Sequence, residues 1–269
     1  MAYWNDKVAL VTGASAGLGF EIAAALCRQG ARVIASARDQ RRLDSAAARL
    51  RKFGGEVLPV CADVTNDGQV EALVATAVEH FGRLDALLNN VGQSSRCLVL
   101  DATPELVQRS IELNLLTAVR CTRAASEHLL ASGGHIVNVG SLASKTASPY
   151  MTVYSAGKFA LAAYTHQLRL ELGPRGVHVL LACPGPIRRD DAGSRYDEQT
   201  AALPDQARKP GGGTKLRGLD PADVARRILR ACERRRPELV IPAKARILFI
   251  LAAAFPSLGD WLLRRMTDD

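Results

Sequence analysis

The amino-acid sequence predicts an α/β protein in which one doubly wound parallel sheet of about seven strands carries helices on both faces. Short apolar runs alternate with longer helical stretches along most of the chain, which is typical of βαβ units. The runs are almost continuously apolar, as expected of strands that are buried on both faces. With 269 residues, of which 48% are hydrophobic, the chain can bury one large core, so we expect a single domain.

The strands are predicted in order from the apolar runs. They cover residues 7–13, 31–38, 56–64, 84–92, 134–141, 176–185 and 238–242. Because proline cannot donate a hydrogen bond to a neighbouring strand, Pro59 in the third run indicates an irregular stretch or a position that needs no donor.

Helices are predicted between the strands and after the last one. They cover residues 19–30, 39–54, 67–82, 103–132, 152–173, 221–236 and a terminal stretch within 244–269. The fourth helix opens with Thr103 as a cap and Pro104 in its first turn. Residues 186–219 are polar and contain prolines and a run of glycines, and this segment is long for a connection, so we expect a functional loop or an inserted helical lid there.

Composition argues against several classes of protein. The six cysteines form no CxxC motif and no Cys/His pair in the sequence, so we expect no metal site and no secreted disulfide framework, and a reducing cytoplasm suits the chain. No signal-peptide pattern precedes the first strand. The net charge of +8 includes the cluster CERRRPE at 232–238. Since no nucleic-acid module accompanies that cluster, we expect a solvated helix end and no nucleic-acid partner.

The stretch TGASAGLG at 12–19 lies between the first strand and the first helix, where a dinucleotide-binding turn belongs. Its glycines let the backbone turn tightly and approach a pyrophosphate, whose charge then meets the amino end of the helix. The spacing is G-x-x-x-G-x-G rather than G-x-G-x-x-G. Any tight strand-to-helix corner can use glycine, but the strand–turn–helix context favours a Rossmann-type nucleotide site.

The pentapeptide YSAGK at 154–158 places a phenol and an ammonium one helical turn apart, with only small residues between them. A cation beside a phenol favours the phenolate and lowers the phenol pKa, which suits a group that transfers protons. The alternative is a surface turn in which Tyr154 is half-buried and Lys158 is solvated.

Four motifs occur in the order and at the distances of the classical short-chain dehydrogenase/reductase family, which the chain resembles: TGASAGLG, NNVG at 89–92, GS at 140–141 and YxxxK. The resemblance covers about residues 5–185 closely and the rest in outline. It implies an oxidoreductase that moves a hydride between a nicotinamide cofactor and a small carbonyl or secondary alcohol substrate. It also implies a homodimer or homotetramer whose subunits contact through the helices at 103–132 and 152–173.

By this resemblance the catalytic residues are Ser141, Tyr154, Lys158 and Asn114. Tyr154 exchanges a proton with the substrate oxygen, and Lys158 and the nicotinamide ring lower its pKa from the ordinary ~10. Ser141 orients the carbonyl oxygen, Lys158 also binds the ribose of the nicotinamide, and Asn114 interrupts its helix and holds a water that links Lys158 to solvent. On its residues alone, Asn114 could equally be half-exposed on a polar helix face. We interpret the small residues before Lys158 as room for the nicotinamide and its ribose.

The resemblance also implies which residues bind the cofactor. They are Thr12, Gly13, Ser15, Ala16, Gly17, Leu18, Gly19, Ser36, Arg38, Asp63, Val64, Asn90, Val91, Gly92, Tyr154, Lys158, Pro184, Gly185 and Ile187. Among them, Asp63 and Val64 match the pair that contacts adenine, and Asn90 matches the asparagine that steadies the central strands. The chain departs from the family at Val91, where alanine is usual, and at Arg189, where threonine is usual.

The end of the second predicted strand bears on the choice between NADP(H) and NAD(H). An acidic residue at the end of this strand favours the free ribose 2′-hydroxyl of NAD(H). By the resemblance, that acidic position is Ala37 in this chain, and Arg38 follows it. A guanidinium there can hold a 2′-phosphate with two hydrogen bonds and a full charge. We therefore expect NADP(H) to be preferred, with NAD(H) possible. Asp39 leaves the preference for NADP(H) over NAD(H) open, since its carboxylate could pair with Arg38 or face solvent at the start of the next helix.

Substrate choice is expected to depend on a few residues around the mouth of the site. They are Gln93, Ser94, Arg96, Leu142, Lys145, Tyr150 and the 186–219 segment, which is then a substrate-binding loop or lid. Lys145 and Arg189 could favour an acidic or phosphorylated substrate, or they could simply be solvated.

The C-terminal tail, residues 244–269, has an amphipathic pattern. Its apolar run from Ile247 to Phe255 is too short to cross a bilayer, and Pro256 ends it. With flanking arginines and Trp261, the tail is compatible with contact with a membrane surface. It also resembles the C-terminal segment of hydroxysteroid and lipid-directed members of the family, which covers the substrate pocket, and this resemblance implies a lipophilic, lipid or steroid-like substrate. The alternative is burial against the core or a second subunit. The hypotheses are therefore a cytosolic oxidoreductase, the same enzyme held at a membrane, or a non-catalytic NADP(H)-binding regulatory protein.

Overall fold

Seven parallel strands form one sheet with the order β3-β2-β1-β4-β5-β6-β7 in the computed structural model, which describes residues 2–189, 196–200, 203–209, 211, 213 and 217–267. The strands are β1 Val8–Thr12, β2 Arg32–Ala37, β3 Val57–Cys61, β4 Ala86–Asn89, β5 His135–Val139, β6 His178–Pro184 and β7 Glu238–Ile241. The sheet confirms the predicted fold class. Pro59 lies in β3, which is an edge strand, so one side of its backbone needs no partner.

The order of the strands reverses between β1 and β4. From β1 the chain builds outward through β2 and β3, and it then returns to add β4 on the other side of β1. The loops that leave the carboxyl ends of β1 and β4 diverge there and open a crevice, which is where open α/β sheets bind their ligands. The glycine-rich turn follows β1, and Asn90 follows β4 directly.

Helices cover both faces of the sheet. They are α1 Gly17–Cys27, α2 Gln40–Leu50, α3 Asp67–Phe81, α4 Pro104–Ile111, α5 Thr117–Ser132, α6 Thr152–Leu172, α7 Asp197–Thr200, α8 Asp205–Arg208, α9 Pro221–Glu233, α10 Ala245–Ala254 and α11 Pro256–Thr267. One face packs against α1, α2 and α9, and the other packs against α3, α5 and α6. Alternate residues of β1 enter the two cores, which explains why the strand is apolar throughout.

The helix predicted over 103–132 is divided in the structure. Thr103 caps α4, its hydroxyl accepting a hydrogen bond from the amide of Leu106 at 3.4 Å, and Pro104 begins the helix as expected. A π-helical turn, Glu112–Leu116, then separates α4 from α5. Such turns widen the helix and often lie at functional sites.

Two short helices, α7 and α8, lie within the predicted 186–219 loop or lid. The rest of that prediction falls partly outside the described residues, at 190–195, 201–202, 210, 212 and 214–216. The terminal stretch is two helices, because Pro256 ends α10 and begins α11. Within the described ranges, no helix combines the length and the apolar character that a bilayer crossing requires.

Two histidines and a cysteine meet at the amino ends of β5 and β6, although the sequence had shown no Cys/His pair: His135, His178 and Cys232. The His178 Nε2 lies 2.7 Å from the Arg236 carbonyl, which can only accept, so this nitrogen carries a proton. The pKa of both histidines is lowered by burial, that of His135 to about 3. Neutral His178 therefore accepts at Nδ1 from His135 Nδ1, 2.9 Å away, and His135 Nε2 accepts from the Tyr3 hydroxyl at 2.7 Å.

Candidate active site

A cleft of about 1100 Å³ opens at the carboxyl ends of the strands. The glycine-rich turn, the loops after β2 to β6, and helices α10 and α11 form its walls. Nearly all of the residues predicted to bind cofactor or catalyse line it; the exceptions are Thr12, Gly19 and Asn114. The fold therefore brings the two groups of predicted residues to one place.

Thr12 and Gly19 support the glycine-rich turn from behind. The Thr12 hydroxyl accepts from the Asn90 amide at 3.0 Å, and the Asn90 side-chain amide donates to the Thr12 carbonyl at 3.2 Å. A Cβ on Gly19 would lie 2.2 Å from the Gly13 carbonyl oxygen and 2.6 Å from Asn90 Nδ2. Any side chain at position 19 would therefore push α1 away from the turn.

The turn leaves the amino end of α1 open toward the cleft. Gly13 and Gly17 adopt the left-handed region, with φ of 65° and 55°, which other residues rarely occupy. Ala16 precedes the helix and offers no side-chain cap, and the first turn contains no acidic residue. The first N–H groups of α1 therefore lack an acceptor from a capping side chain, and the helix dipole favours an anion there.

Ser36 gives a second sign that the cleft receives a polar ligand. Its hydroxyl is fully buried and lacks a hydrogen-bond partner among the described residues, and the residue lines the cleft. A buried hydroxyl without a partner is costly, so a ligand that supplies one is expected. Together with the open glycine cradle, these residues fit a dinucleotide.

The question left open at Asp39 is answered by its contacts. Its carboxylate caps α2, accepting from the Arg42 amide at 3.0 Å, and lies 3.7 Å from the Arg42 guanidinium. Arg38 forms no salt bridge with any described residue, and it lines the cleft together with Arg42. Asp63 accepts two hydrogen bonds from Thr65, which, with a smaller contribution from the Arg38 charge, hold its pKa below the ordinary value.

Tyr154 and Lys158 both lie on the first turns of α6. The Lys158 Nζ lies 5.9 Å from the centre of the Tyr154 ring and donates to the Val139 carbonyl at 2.8 Å. Lys158 is 3% exposed, and this burial lowers its pKa to about 8. Its ammonium is thus held beneath the tyrosine in a site of low polarity, where its charge acts more strongly than in water.

Asn114 lies in the π-helical turn and is buried, not half-exposed. Its Oδ1 accepts from the Gln93 amide at 3.1 Å, and its Nδ2 donates to the carbonyls of Gln93 and Ser110, also at 3.1 Å. A Cβ on Gly92 would lie 2.8 Å from Asn114 Oδ1 and 3.0 Å from Lys158 Nζ. Asn114 and Lys158 therefore converge on one point behind the cleft.

The small residues between Tyr154 and Lys158 have a different explanation from the one expected. Gly157 does not line the cleft. A Cβ there would lie 2.9 Å from the Ser110 hydroxyl and 3.1 Å from the Asn114 Cβ. Gly157 is needed so that α6 can pack closely against α4 and the π-helical turn. Interpreting it as room for the nicotinamide was wrong.

Ser141 is held at the start of a short helical turn, Leu142–Ser144, by reciprocal hydrogen bonds. Its hydroxyl accepts from the Ala143 amide at 3.2 Å, and its own amide donates to the Ser144 hydroxyl at 3.1 Å. In the described part of the chain, no histidine or carboxylate hydrogen-bonds to Ser141. The geometry therefore suits a group that orients another oxygen and gives no sign of an activated nucleophile.

The model of the short chain dehydrogenase family matches residues 7–200. This range contains the glycine-rich turn, Ser141, Tyr154 and Lys158. The chain belongs to the short-chain dehydrogenase/reductase family. It is 32% identical to the uncharacterized oxidoreductase YxnA of Bacillus subtilis over 97% of this chain and 72% of that protein. It is 32% identical to the ketoacyl reductase HetN of Nostoc sp. over 90% of this chain and 80% of that protein.

A solved structure agrees with this assignment. The L-sorbose reductase of Gluconobacter frateurii, complexed with NADPH and L-sorbose, is 28% identical and superposes with a TM-score of 0.78, covering 88% of this chain and 95% of that chain. As a member of the short-chain dehydrogenase/reductase family, the chain is an NAD(P)-dependent oxidoreductase.

Around the substrate end of this short-chain dehydrogenase, the structure places four of the six predicted single residues on the cleft wall: Gln93, Ser94, Arg96 and Leu142. Lys145 and Tyr150 do not line it. The Lys145 ammonium forms a salt bridge with Glu238, so it is not a solvated cation at the mouth. The idea that Lys145 attracts an acidic substrate is therefore not supported by its position.

Arg96 holds the short helices of the 186–219 segment against the cleft. The residue is 5% exposed, its Nε donates to the Ala207 carbonyl at 2.9 Å, and its guanidinium stacks 4.0 Å from the centre of the Tyr196 ring. Tyr196 in turn hydrogen-bonds to Ser94. Tyr196 lies within the predicted 186–219 loop or lid but was not singled out there, because nothing in its sequence neighbourhood distinguishes it from the other polar positions.

Helices α10 and α11 supply an apolar wall that the sequence did not identify residue by residue. Its members on the cleft are Ala245, Ile247, Leu248, Phe249, Leu251, Leu262, Leu263 and Met266. The same helices leave other apolar side chains in solvent, among them Ile250 at 67% exposed and Trp261 at 53%. The tail thus faces both the cleft and the outside.

Proposed function

We propose that this enzyme interconverts a carbonyl and a secondary alcohol, that it prefers NADP(H), and that Tyr154 is its general acid and base. The observation that carries the proposal is that Ser141, Tyr154 and Lys158 line the same cleft as the glycine-rich turn and Ser36. When bound, the nicotinamide supplies or accepts the hydride. The protein's part is to position the substrate and to move one proton.

The position of each residue in the site supports the role proposed for it. Tyr154 gives its phenolic proton to the substrate oxygen in reduction and takes it back in oxidation. Ser141, with its backbone fixed by the reciprocal hydrogen bonds to its turn, holds the substrate oxygen beside the phenol. Lys158 keeps a positive charge near the phenolate, which lowers the pKa of Tyr154. Asn114 positions this part of the site through Gln93 and the π-helical turn.

The preference for NADP(H) is supported by charge. Arg38 lines the cleft and is not neutralised by Asp39, whose carboxylate belongs to the cap of α2. A guanidinium in this position suits a ribose 2′-phosphate. NADPH is also the cofactor named for the L-sorbose reductase structure. NAD(H) remains a possible second cofactor.

Turnover of a panel of aldehydes, ketones and secondary alcohols with NADPH and NADH tests the proposal, read by the absorbance of the reduced nicotinamide. Tyr154→Phe should abolish turnover and leave cofactor binding unchanged, because the phenyl ring keeps the packing and loses only the proton. Binding without turnover in the wild type, across the whole panel, would favour the regulatory-protein hypothesis instead.

Arg38→Ala should weaken NADPH binding by about 1–3 kcal/mol and leave NADH binding unchanged, since one charged pair is lost. Arg41→Ala is the matched control, because Arg41 is an exposed arginine of α2 that does not line the cleft. If Arg38→Ala lowered the affinities for NADPH and NADH equally, the assignment of the 2′-phosphate to Arg38 would be contradicted.

A second candidate is the same enzyme held at an anionic membrane surface, where it acts on a lipophilic substrate. It is favoured by the outer face of α10 and α11, called here the tail face, which exposes Ile250, Phe255, Leu258 and Trp261. Basic residues flank these side chains: Lys244, Arg246, Arg264 and Arg265 are exposed. An apolar face bordered by cations suits a surface of anionic lipid. The inner side of the same helices lines the cleft with apolar groups.

Co-sedimentation with vesicles of phosphatidylglycerol and phosphatidylcholine tests this candidate. The variant Ile250→Ser/Trp261→Ser should sediment less than the wild type, whereas Leu100→Ser should sediment equally, since Leu100 is 94% exposed but lies outside the tail. A wild type that stays in the supernatant would remove the membrane candidate and leave the oxidoreductase without the membrane contact. Its expected location stays the cytoplasm, which rests on the cysteine pattern alone.

A further inference from the structure

Arg189 lies over the amino end of α1, five positions after the last residue of β6. Its Nη2 is 3.9 Å from the point where a Cβ on Gly17 would be, and this is the only contact within 4 Å of that point among the described residues outside the turn's own backbone. Arg189 also lines the cleft. Gly17 is the first residue of α1, so the guanidinium faces the helix terminus across a narrow gap.

Two sources of positive potential therefore meet at this point. The amino end of α1 has no acidic residue in its first turn and no side-chain cap, so its N–H groups and its dipole favour an anion. The guanidinium adds a full charge and several donors in a planar arrangement that matches phosphate oxygens. The unpartnered hydroxyl of Ser36, fully buried on the same cleft, is independent evidence that a polar ligand belongs there.

We propose that Arg189 closes over the diphosphate of the bound dinucleotide and holds it against the amino end of α1. The proposal rests on cofactor binding by this family and does not depend on the role proposed for Tyr154. The family usually has threonine at this position, a residue with one hydroxyl and no charge. In this chain the position instead contributes a cation to cofactor binding.

The position of Arg189 distinguishes diphosphate binding from binding of the 2′-phosphate and from binding of the substrate. The 2′-phosphate is assigned to Arg38, which follows β2, while Arg189 faces the turn that follows β1. The substrate end is marked by Ser141 and Tyr154, on the elements that follow β5. A guanidinium that lies 3.9 Å from the position of a Cβ on Gly17 therefore meets the part of the ligand that lies on the glycine-rich turn, which in a dinucleotide is the diphosphate.

Equilibrium binding with three ligands tests the proposal without turnover. NADPH binding is read by its fluorescence, and ADP and adenosine 2′-monophosphate are measured by competition against it. Arg189→Ala should weaken NADPH and ADP about tenfold or more, since each contains the diphosphate, and should leave adenosine 2′-monophosphate unchanged. The affinity of Arg189→Lys for NADPH and ADP should lie between those of the wild type and Arg189→Ala, because lysine keeps the charge and loses the planar pair of donors.

Arg188→Ala is the matched control. It removes the same charge from the neighbouring position, but Arg188 pairs with Asp220 at 3.5 Å and does not line the cleft. Binding of all three ligands should be unchanged in this variant, and thermal unfolding of both alanine variants should match the wild type, which excludes a general loss of structure.

Three results would overturn the proposal. Unchanged NADPH and ADP binding in Arg189→Ala would mean that Arg189 does not touch the cofactor. Equal weakening of ADP and adenosine 2′-monophosphate would indicate an unspecific effect of charge. A rise in the KM for the carbonyl substrate with unchanged cofactor affinity would place Arg189 at the substrate. None of these outcomes affects the assignment of Tyr154, which depends on turnover.

Discussion

The position of Lys158 suits the role in catalysis proposed for its charge, but burying that charge is costly to folding. Its ammonium is almost completely buried, with the Val139 carbonyl as its hydrogen-bond acceptor, and burial lowers its pKa from 10.5 to about 8. The proton is therefore held less firmly in the folded protein than in the unfolded chain. Active sites commonly retain such groups at the expense of stability.

Lys158→Met should stabilise the cofactor-free protein while abolishing turnover. Because the pKa of Lys158 is lower in the folded state, the unfolded chain binds more protons between pH 8 and pH 10.5, so this lysine makes wild-type stability rise with pH across that window. The free energy of unfolding of the variant should lack this rise. Below pH 8 it should exceed that of the wild type by about 1–3 kcal/mol, and the difference should fade toward pH 10.5.

Urea unfolding of both proteins at several pH values measures this difference. Lys145→Met is the control, since Lys145 is less buried and pairs with Glu238. A Lys158→Met protein that is less stable than the wild type at pH 7 would show that the hydrogen bond to Val139 outweighs the cost of burying the ammonium.

At the scale of the elements, the packing of α6 against α4 and the π-helical turn determines where the proposed catalytic side chains lie. Gly157 permits the close approach, and the Ser110 hydroxyl donates to the Val153 carbonyl at 2.6 Å across it. The π-helical turn carries Asn114, and the first turns of α6 carry Tyr154 and Lys158. A small change in helix spacing would therefore alter several groups at once.

Gly157→Ala should destabilise the protein by about 1–3 kcal/mol, because the new methyl group would meet Ser110 and Asn114 at 2.9–3.1 Å. It should also lower kcat, since Asn114 and Lys158 would shift relative to Tyr154. Ala156→Ser, at the exposed neighbouring position, is the control for changes on this helix. Urea unfolding and steady-state kinetics measure both effects. If Gly157→Ala changed neither the free energy of unfolding nor kcat, the helices would be able to move apart without cost.

The strands and most helices were predictable because their signals are local. Continuous apolar runs indicated the strands, and Thr103 and Pro104 marked a helix start. The contact of His135 with His178 was not predictable, since 43 residues separate them and only the pairing of β5 with β6 brings them together. The cleft wall of α10 was equally hidden, because an apolar helix face looks the same whether it covers a core or a ligand site.

The residues of the candidate site were predictable through motifs, but their physical roles were less so. Gly157 was correctly noted as small and wrongly explained, because its neighbours Ser110 and Asn114 belong to another helix. Asp39 could not be assigned from sequence, since a capping carboxylate and an ion pair with the preceding arginine look alike until the helix start is known.

At the scale of the whole molecule, α6 leaves an apolar stripe in solvent. Phe159, Ala163 and Leu170 recur at helical spacing and are all exposed, with Phe159 at 45% and Leu170 at 58%. A stripe of this kind, on a helix that otherwise packs into the fold, suits a protein–protein contact. Since α6 also carries Tyr154 and Lys158, a contact along this stripe would support the helix of the proposed catalytic residues from outside. We therefore propose a homo-oligomer in which α6 packs against its symmetry copy.

Phe159→Glu should convert the oligomer to monomers, because a two-fold contact would bring two buried glutamates together without a cation to pair with them. Sedimentation velocity measures the change, and Leu100→Glu, a more exposed apolar residue outside α6, should leave the oligomer intact. If α6 is braced by this contact, the monomeric variant should also lose activity with little change in its affinity for NADPH. A wild type that sediments as a monomer at micromolar concentration would show that the stripe has another use.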